Sequence, residues 1–156
     1  MTEICGTVNG QTAKVGIVAA KFNSLVTTKL VNGALLELKK YEVVPQNITT
    51  IWVPGALELA RVIKQLTASG QVDGIIALGA VVRGETSHYE LVCRETAVGL
   101  ADISLHGPIP VMFGVLTTDN MDQAINRAGG KSGNKGADCA SGLLEMLSVE
   151  RQIKAL

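Results

Sequence analysis

Short apolar, β-branched runs alternate along this chain of 156 residues with longer stretches in which apolar side chains recur every three or four positions. Lys14 to Ala20 (KVGIVAA) is almost continuously apolar, the pattern of a parallel strand covered on both faces. The 3.6-residue spacing of Leu25, Val26, Leu30, Val31, Ala34, Leu35 and Leu38 then predicts a helix over about Ser24 to Lys40. Asn47 to Val53 (NITTIWV) is a second strand. Pro54-Gly55 breaks it and leads into a helix reaching about Ser69, with Gly70 as C-cap. Asp73 to Val82 (DGIIALGAVV) makes a third strand, followed by a helix over about Ser87 to Leu105 that Gly107-Pro108 closes. Pro110 to Leu116 (PVMFGVL) is the fourth strand, and Thr118-Asp119 caps a short helix to about Ala128. The glycine-rich GGKSGNKG at 129–136 turns the chain into a last helix ending near Ala155.

Strand and helix therefore alternate four times, which indicates a doubly wound arrangement. The expected fold is an α/β three-layer sandwich with a four-stranded parallel sheet, flavodoxin-like in topology, in one domain spanning residues 1–156. No internal repeat, linker or low-complexity tract interrupts it. Glu3 to Val8 (EICGTV) is strand-like but stands outside the rhythm, and is suited to covering a sheet edge, its own or a neighbour's.

Charge and composition narrow the function classes. Lys and Arg total 14, Asp and Glu also 14, so the net charge is zero and no basic run exists to coat a nucleic-acid backbone. The longest apolar stretch, Gly74 to Val82, is far short of a bilayer span, and the first residues have neither a basic start nor an apolar core. A soluble cytoplasmic protein without nucleic-acid or membrane partners is expected. Cys5, Cys93 and Cys139 are odd in number, widely spaced and free of any C-x-x-C pair, which argues against a disulfide frame or zinc knuckle and for buried thiols. With 47% hydrophobic residues and no net charge, the chain carries more apolar surface than one small domain readily hides, a sign of burial between subunits.

Ligands of an open parallel sheet bind outside the carboxyl ends of its strands, so the four strand-to-helix turns matter: KFNS, PGALE, RGETSH and TTDN. None has the glycine spacing of a dinucleotide or ATP site. In RGETSH, Gly84 permits a sharp turn, and the amides of Glu85 and Thr86 then stand at a helix start, where the dipole favours an anion such as phosphate. His88, read as lying a turn inside that helix, is one of only two histidines. Histidine is the side chain suited to proton transfer near neutrality, although packing or capping is the plainer role. Phe22 offers either a stacking face for a planar ring or a plug for the top of the core. Glu58 either accepts hydrogen bonds from a heterocycle or complements its helix N-terminus. Phe113, in the middle of a strand, reads first as core. Arg127, Lys131 and Lys135 lie within a glycine-rich bend and either clamp a phosphate or form a solvated basic loop.

KFN (21–23), WVPGALEL (52–59), ALGAVVRGETSHYELV (77–92) and PVMFGVLTTDNMDQAINRAGGKSGNKGADCA (110–140) together resemble the lumazine synthases, in order and over nearly the whole chain. The resemblance implies condensation of 5-amino-6-(D-ribitylamino)uracil with 3,4-dihydroxy-2-butanone 4-phosphate, the penultimate step of riboflavin biosynthesis, with no metal and no organic cofactor. It also implies pentamers with the site between adjacent subunits, in many members twelve pentamers closed into an icosahedral shell of sixty subunits, and riboflavin synthase as a candidate partner. By the same resemblance Phe22 lies against the pyrimidine, with Ala56, Leu57, Glu58, Ala80, Val81 and Val82 around the ring and ribityl chain. The backbone of Glu85 and Thr86 holds the phosphate, and His88 transfers protons. Phe113, Arg127 and Lys135 come from the neighbouring subunit. Lys21 and Ala60 depart from the residues usual in such proteins, which touches packing more than assignment.

Two other classes remain in view: a shell protein that binds flavin or lumazine without turnover, and a flavodoxin-like signalling or electron-transfer module. The first would not need Phe22, His88 and Arg127 together. The second needs a phosphoacceptor Asp or a hydroxyl-rich loop after the first strand, and KFNS supplies neither.

Overall fold

In a computed structural model describing residues Met1–Leu156, β1 (Val15–Ala20) is buried along its whole length. It pairs in parallel with β2 (Ile48–Val53) on one side and β3 (Gly74–Val82) on the other, and β3 pairs with β4 (Val111–Thr118), giving the order β2-β1-β3-β4. The inner strands are continuously apolar because alternate side chains leave them towards helices on both faces. Val15, Ile17, Ala19, Ile76, Leu78 and Ala80 join a core with Leu30 and Leu38 of α1 (Ser24–Lys40) and Leu143 and Leu144 of α5 (Lys135–Lys154). Val18, Ala20, Ile75 and Ala77 join a second core with Leu59 and Ile63 of α2 (Leu57–Ser69) and Leu100 of α3 (His88–His106). Truncating any of these fully buried leucines to alanine costs about 2–5 kcal/mol. The three-layer sandwich is thus the one the alternation predicts.

The helices on the first face are in close contact. An alanine Cβ at Gly136 would meet the Leu30 carbonyl oxygen at 2.0 Å, so glycine is what lets α5 approach α1. Asn134 locks the same junction. Its Oδ1 accepts from the N–H groups of Gly136 and Ala137, capping α5, while its Nδ2 donates to the Lys29 carbonyl on α1.

Three local expectations are corrected. Asn120, not Thr118-Asp119, caps α4 (Met121–Asn126): its side chain accepts from the Gln123 N–H at 2.9 Å, while the Thr118 hydroxyl donates to the Asn120 carbonyl. The glycine-rich segment is more than a turn, since Ala128–Gly130 (β5) pairs antiparallel with Gly133–Asn134 (β6), with Gly129 and Gly133 at positive φ. Glu3 to Val8 forms no strand in this chain. It runs along α5, where the Thr7 N–H donates to Ser148 Oγ and Gln152 Nε2 donates to the Cys5 carbonyl, so β2 and β4 both remain open edges. Cys5 is consequently exposed. Cys93 is half-buried, and of the three cysteines only Cys139 is buried as expected. No helix is long and apolar enough to cross a membrane.

The chain leaves β1 for β2 on one side, then crosses back over β1 to reach β3 on the other. The connections therefore diverge between β1 and β3, and a crevice opens there at the carboxyl ends.

Candidate active site

The turn after β1 is laid across the end of β2: the N–H groups of Lys21 and Phe22 donate to the carbonyls of Val53 and Pro54 at 2.8 and 3.1 Å. Asn23 then adopts a left-handed conformation, φ 58° and ψ 47°, which asparagine tolerates better than most residues. Its carbonyl accepts from the N–H groups of Val26 and Thr27 and so begins α1. Its side-chain Nδ2 donates to the Ala80 carbonyl of β3 at 2.8 Å. The reversal leaves Phe22 71% exposed and lining the crevice, which removes the reading of Phe22 as a core plug.

The second wall is the start of α2. Ala56 sits at the N-cap with no side-chain cap, Leu57 is exposed and Glu58 lies in the first turn. Ala80, Val81 and Val82 end β3 beneath them, and Gly84, Thr86, His88 and Tyr89 form the third wall. Together they enclose a cavity of about 490 Å³, large enough for a heterocycle with a polar chain.

His88 is the first residue of α3 rather than a turn inside it. Its N–H donates to Thr86 Oγ1 at 3.4 Å, its imidazole makes no hydrogen bond within the chain, and its side chain lines the cavity. Ser87 at the N-cap offers no side-chain bond to the helix, so apart from the long bond of His88 to Thr86 the α3 N-terminus is uncapped and open to an anion. The Glu85 side chain is exposed and does not line the cavity.

Behind this loop lies Arg83. Its Nε donates to Asp119 Oδ1 at 3.0 Å, its Nη1 pairs with Glu90 Oε1, and its guanidinium lies 4.2 Å from the Tyr89 ring centroid. The bond from Arg83 holds the Glu90 carboxyl below its ordinary value. Burial raises the Tyr89 phenol and the Cys93 thiol above theirs. Nowhere do three or more His, Cys, Asp or Glu side chains converge in a metal-ligating arrangement.

Phe22, Ala56, Leu57, Glu58, Ala80, Val81, Val82, Thr86 and His88 are therefore brought together, as the sequence suggests. Phe113, Arg127 and Lys135 are not. Phe113 is partly exposed in an apolar depression with Leu100, Leu105 and Val111. Arg127 and Lys135 line a separate cavity of about 340 Å³ with Thr117, Thr118, Ser132 and Asp138. Sequence reasoning missed Asn23, Tyr89 and Val92 in the first cavity and Asp138 in the second. Only Asn23 carried a local signal, an asparagine between a strand end and a helix start, where a left-handed residue serves the turn.

A model of the 6,7-dimethyl-8-ribityllumazine synthase family matches residues 12–151. Three proteins named 6,7-dimethyl-8-ribityllumazine synthase are similar over nearly their whole lengths. That of Levilactobacillus brevis is 58% identical over 156 residues, covering 100% of this chain and 99% of the relative. That of Pediococcus pentosaceus is 56% identical over 153 residues, 98% of each chain. That of Lactiplantibacillus plantarum is 48% identical over 153 residues, 98% of this chain and 96% of the relative.

Proposed function

The chain belongs to the 6,7-dimethyl-8-ribityllumazine synthase family, and on that premise we propose that the cavity between β1 and β3 is where its two substrates meet. The protein is a transferase of riboflavin biosynthesis that condenses 5-amino-6-(D-ribitylamino)uracil with 3,4-dihydroxy-2-butanone 4-phosphate. The observation that carries the site is a single cavity holding an exposed aromatic face and an imidazole with no hydrogen bond in the chain, at a helix N-terminus that Ser87 does not cap.

Each requirement of the chemistry meets a residue there. Phe22 stacks on the pyrimidine, while Ala56, Leu57, Glu58 and the end of β3 flank the ring and the ribityl chain. The amides of Glu85 and Thr86 hold the phosphate at the α3 N-terminus. Joining the amine to the ketone carbonyl passes through a carbinolamine whose hydroxyl leaves as water, so a proton must be taken from nitrogen and one delivered to oxygen. His88 serves both transfers. A turnover assay with the two substrates tests this reading: formation of the lumazine chromophore supports it, and flavin or lumazine binding without turnover would favour the shell-protein alternative.

The assembly belongs to the same proposal. Phe113, Arg127 and Lys135 lie apart from the cavity on or beside the open edge strand β4, which fits their completing a neighbour's site. Exposed Leu91, Val98 and Leu105 of α3 support burial against another copy. We assign a pentamer with shared sites, a closed shell of twelve pentamers, and riboflavin synthase as its candidate partner. Three cysteines without a disulfide fit a reducing, cytoplasmic location. Electron microscopy decides the assembly: hollow particles support the shell, isolated rings support the pentamer alone, and fully active monomers overturn both.

A further inference from the structure

The loop that offers its amides to the phosphate is held by very little. Residues Gly84 to His88 are all exposed, nothing lies within 4 Å of where a Gly84 Cβ would be, and Ser87 does not cap α3. The only hydrogen bonds made by residues 84–88 besides those of α3 itself are local, the His88 N–H to Thr86 Oγ1. The loop nevertheless has to hold two amides and an imidazole in register with a cavity wall.

We propose that Arg83 is the positioning residue that holds this loop for the phosphorylated substrate. Its backbone N–H donates to the Thr118 carbonyl at 2.9 Å, which ties the loop's first residue to the end of β4. Its Nε reaches Asp119 in the β4–α4 turn at 3.0 Å, and its Nη1 reaches Glu90 in the first turn of α3. The guanidinium also lies against Tyr89, the residue next to His88. One planar cation thus joins the strand before the loop, the turn beside it and the helix after it. Lysine, with a single point of charge, could not meet both carboxylates in this fork.

Two observations separate positioning from direct binding. Arg83 does not line the cavity, whereas Gly84, Thr86, His88 and Tyr89 do. Its charge is already committed to two carboxylates, and those bonds raise its own pKa while lowering that of Glu90. Exposed ion pairs contribute little to global folding, so the clamp acts on loop geometry and not on whether the chain folds. When a binding-competent loop is only partly populated, apparent affinity falls by that fraction.

The inference rests on the phosphate reading of the loop, and the test keeps the two apart. Steady-state kinetics, varying each substrate in turn, are measured for the wild type and for Arg83→Gln, Arg83→Lys and Asp119→Asn. Arg83→Gln is expected to raise KM for the phosphorylated ketone about tenfold while leaving that for the pyrimidine within about twofold and the melting temperature nearly unchanged. Arg83→Lys falls between, Asp119→Asn shifts KM the same way, and the Arg83→Gln, Asp119→Asn double variant is no worse than Arg83→Gln alone. Equal loss for both substrates, or tighter ketone binding in Asp119→Asn because the guanidinium is released to bind phosphate itself, overturns the clamp. Hydrogen exchange at the bonded amides flanking the loop, Arg83 on the Thr118 carbonyl and Leu91 on the Ser87 carbonyl, reads the clamp without turnover: it quickens in Arg83→Gln, and unchanged exchange refutes the proposal. Absence of turnover in the wild type would sink the functional reading alone.

Discussion

Asn23 donates through its Nδ2 to the carbonyl of Ala80 at 2.8 Å, pinning the turn after the first strand to the third strand across the point where the sheet changes direction. Both residues line the cavity, so the bond ties the turn that carries Phe22 to the wall formed by β3.

Replacing Asn23 tests two contributions at once. Asn23→Ala loses the bond and puts an alanine in the left-handed region, together costing about 2–3 kcal/mol. Asn23→Gly loses only the bond, so denaturant unfolding should show a loss of about 1 kcal/mol, below that range. Both variants should weaken pyrimidine binding, because both release the Phe22 turn. If Asn23→Gly binds pyrimidine like the wild type, the bridge does not set the site.

Much of this was legible because strand ends can be read from periodicity. β1 and β3 announce themselves as unbroken apolar runs, and a residue just past such a run, as Phe22 and Thr86 are, must lie at the carboxyl edge of the sheet. The Arg83 network was not legible, since Asp119 stands 36 positions away and only the β3–β4 pairing brings it near. Glu3 to Val8 misled for a related reason. Its alternation suits a strand, but a strand needs a partner, and within this chain the hydrogen bonds of that segment go only to α5. Asn120 and Asn134 cap helices through contacts that depend on the exact residue where each helix begins, the least readable feature of any pattern.

His88 should lose rate rather than binding. A general acid or base contributes about a hundredfold to ten-thousandfold, and the amides and aromatic face proposed to position substrates remain in His88→Ala. A fall in kcat of that order with nearly unchanged KM for both substrates is expected in steady-state kinetics. Wild-type kcat in the variant would remove the proton-transfer role.

Cys139 gives the fold an alkaline weakness. Burial against β4, where a Cβ on Gly114 would lie 3.1 Å from its Sγ, pushes its thiol up to about 11 from an ordinary value of about 9. Above about pH 9 the unfolded chain gives up this proton while the native one keeps it, so deprotonation favours unfolding. The contribution is intact below about pH 9 and is lost as pH rises towards about 11, amounting to roughly 2–3 kcal/mol. Urea unfolding of the wild type and Cys139→Ala at about pH 8 and about pH 10.5 checks it. The wild type should lose more stability across that interval, and parallel losses would show that the thiol is not responsible.

Arg127 and His88 line separate cavities of one chain, so a complete site needs two chains if both residues serve the same substrate pair. Arg127→Ala should weaken the phosphorylated ketone far more than the pyrimidine, because only the ketone carries the charge that a guanidinium meets bidentately. The sharper consequence comes from mixing. In the proposed ring, each site would take His88 from one subunit and Arg127 from the next, and the two variants would damage different halves. Where a subunit carrying Arg127→Ala supplies the intact His88 half and its neighbour carrying His88→Ala supplies the intact Arg127 half, a wild-type site is rebuilt. Random assembly of equal amounts rebuilds roughly a quarter of the sites. At ketone concentrations too low to fill an Arg127→Ala site, co-unfolding the two impaired variants and refolding them together should therefore restore roughly a quarter of the wild-type rate per site, whereas mixing them without unfolding should restore none. No recovery in assembled, refolded mixtures would mean that Arg127 and His88 do not act across one interface. The phosphate would then be held by the Arg83-clamped loop without Arg127.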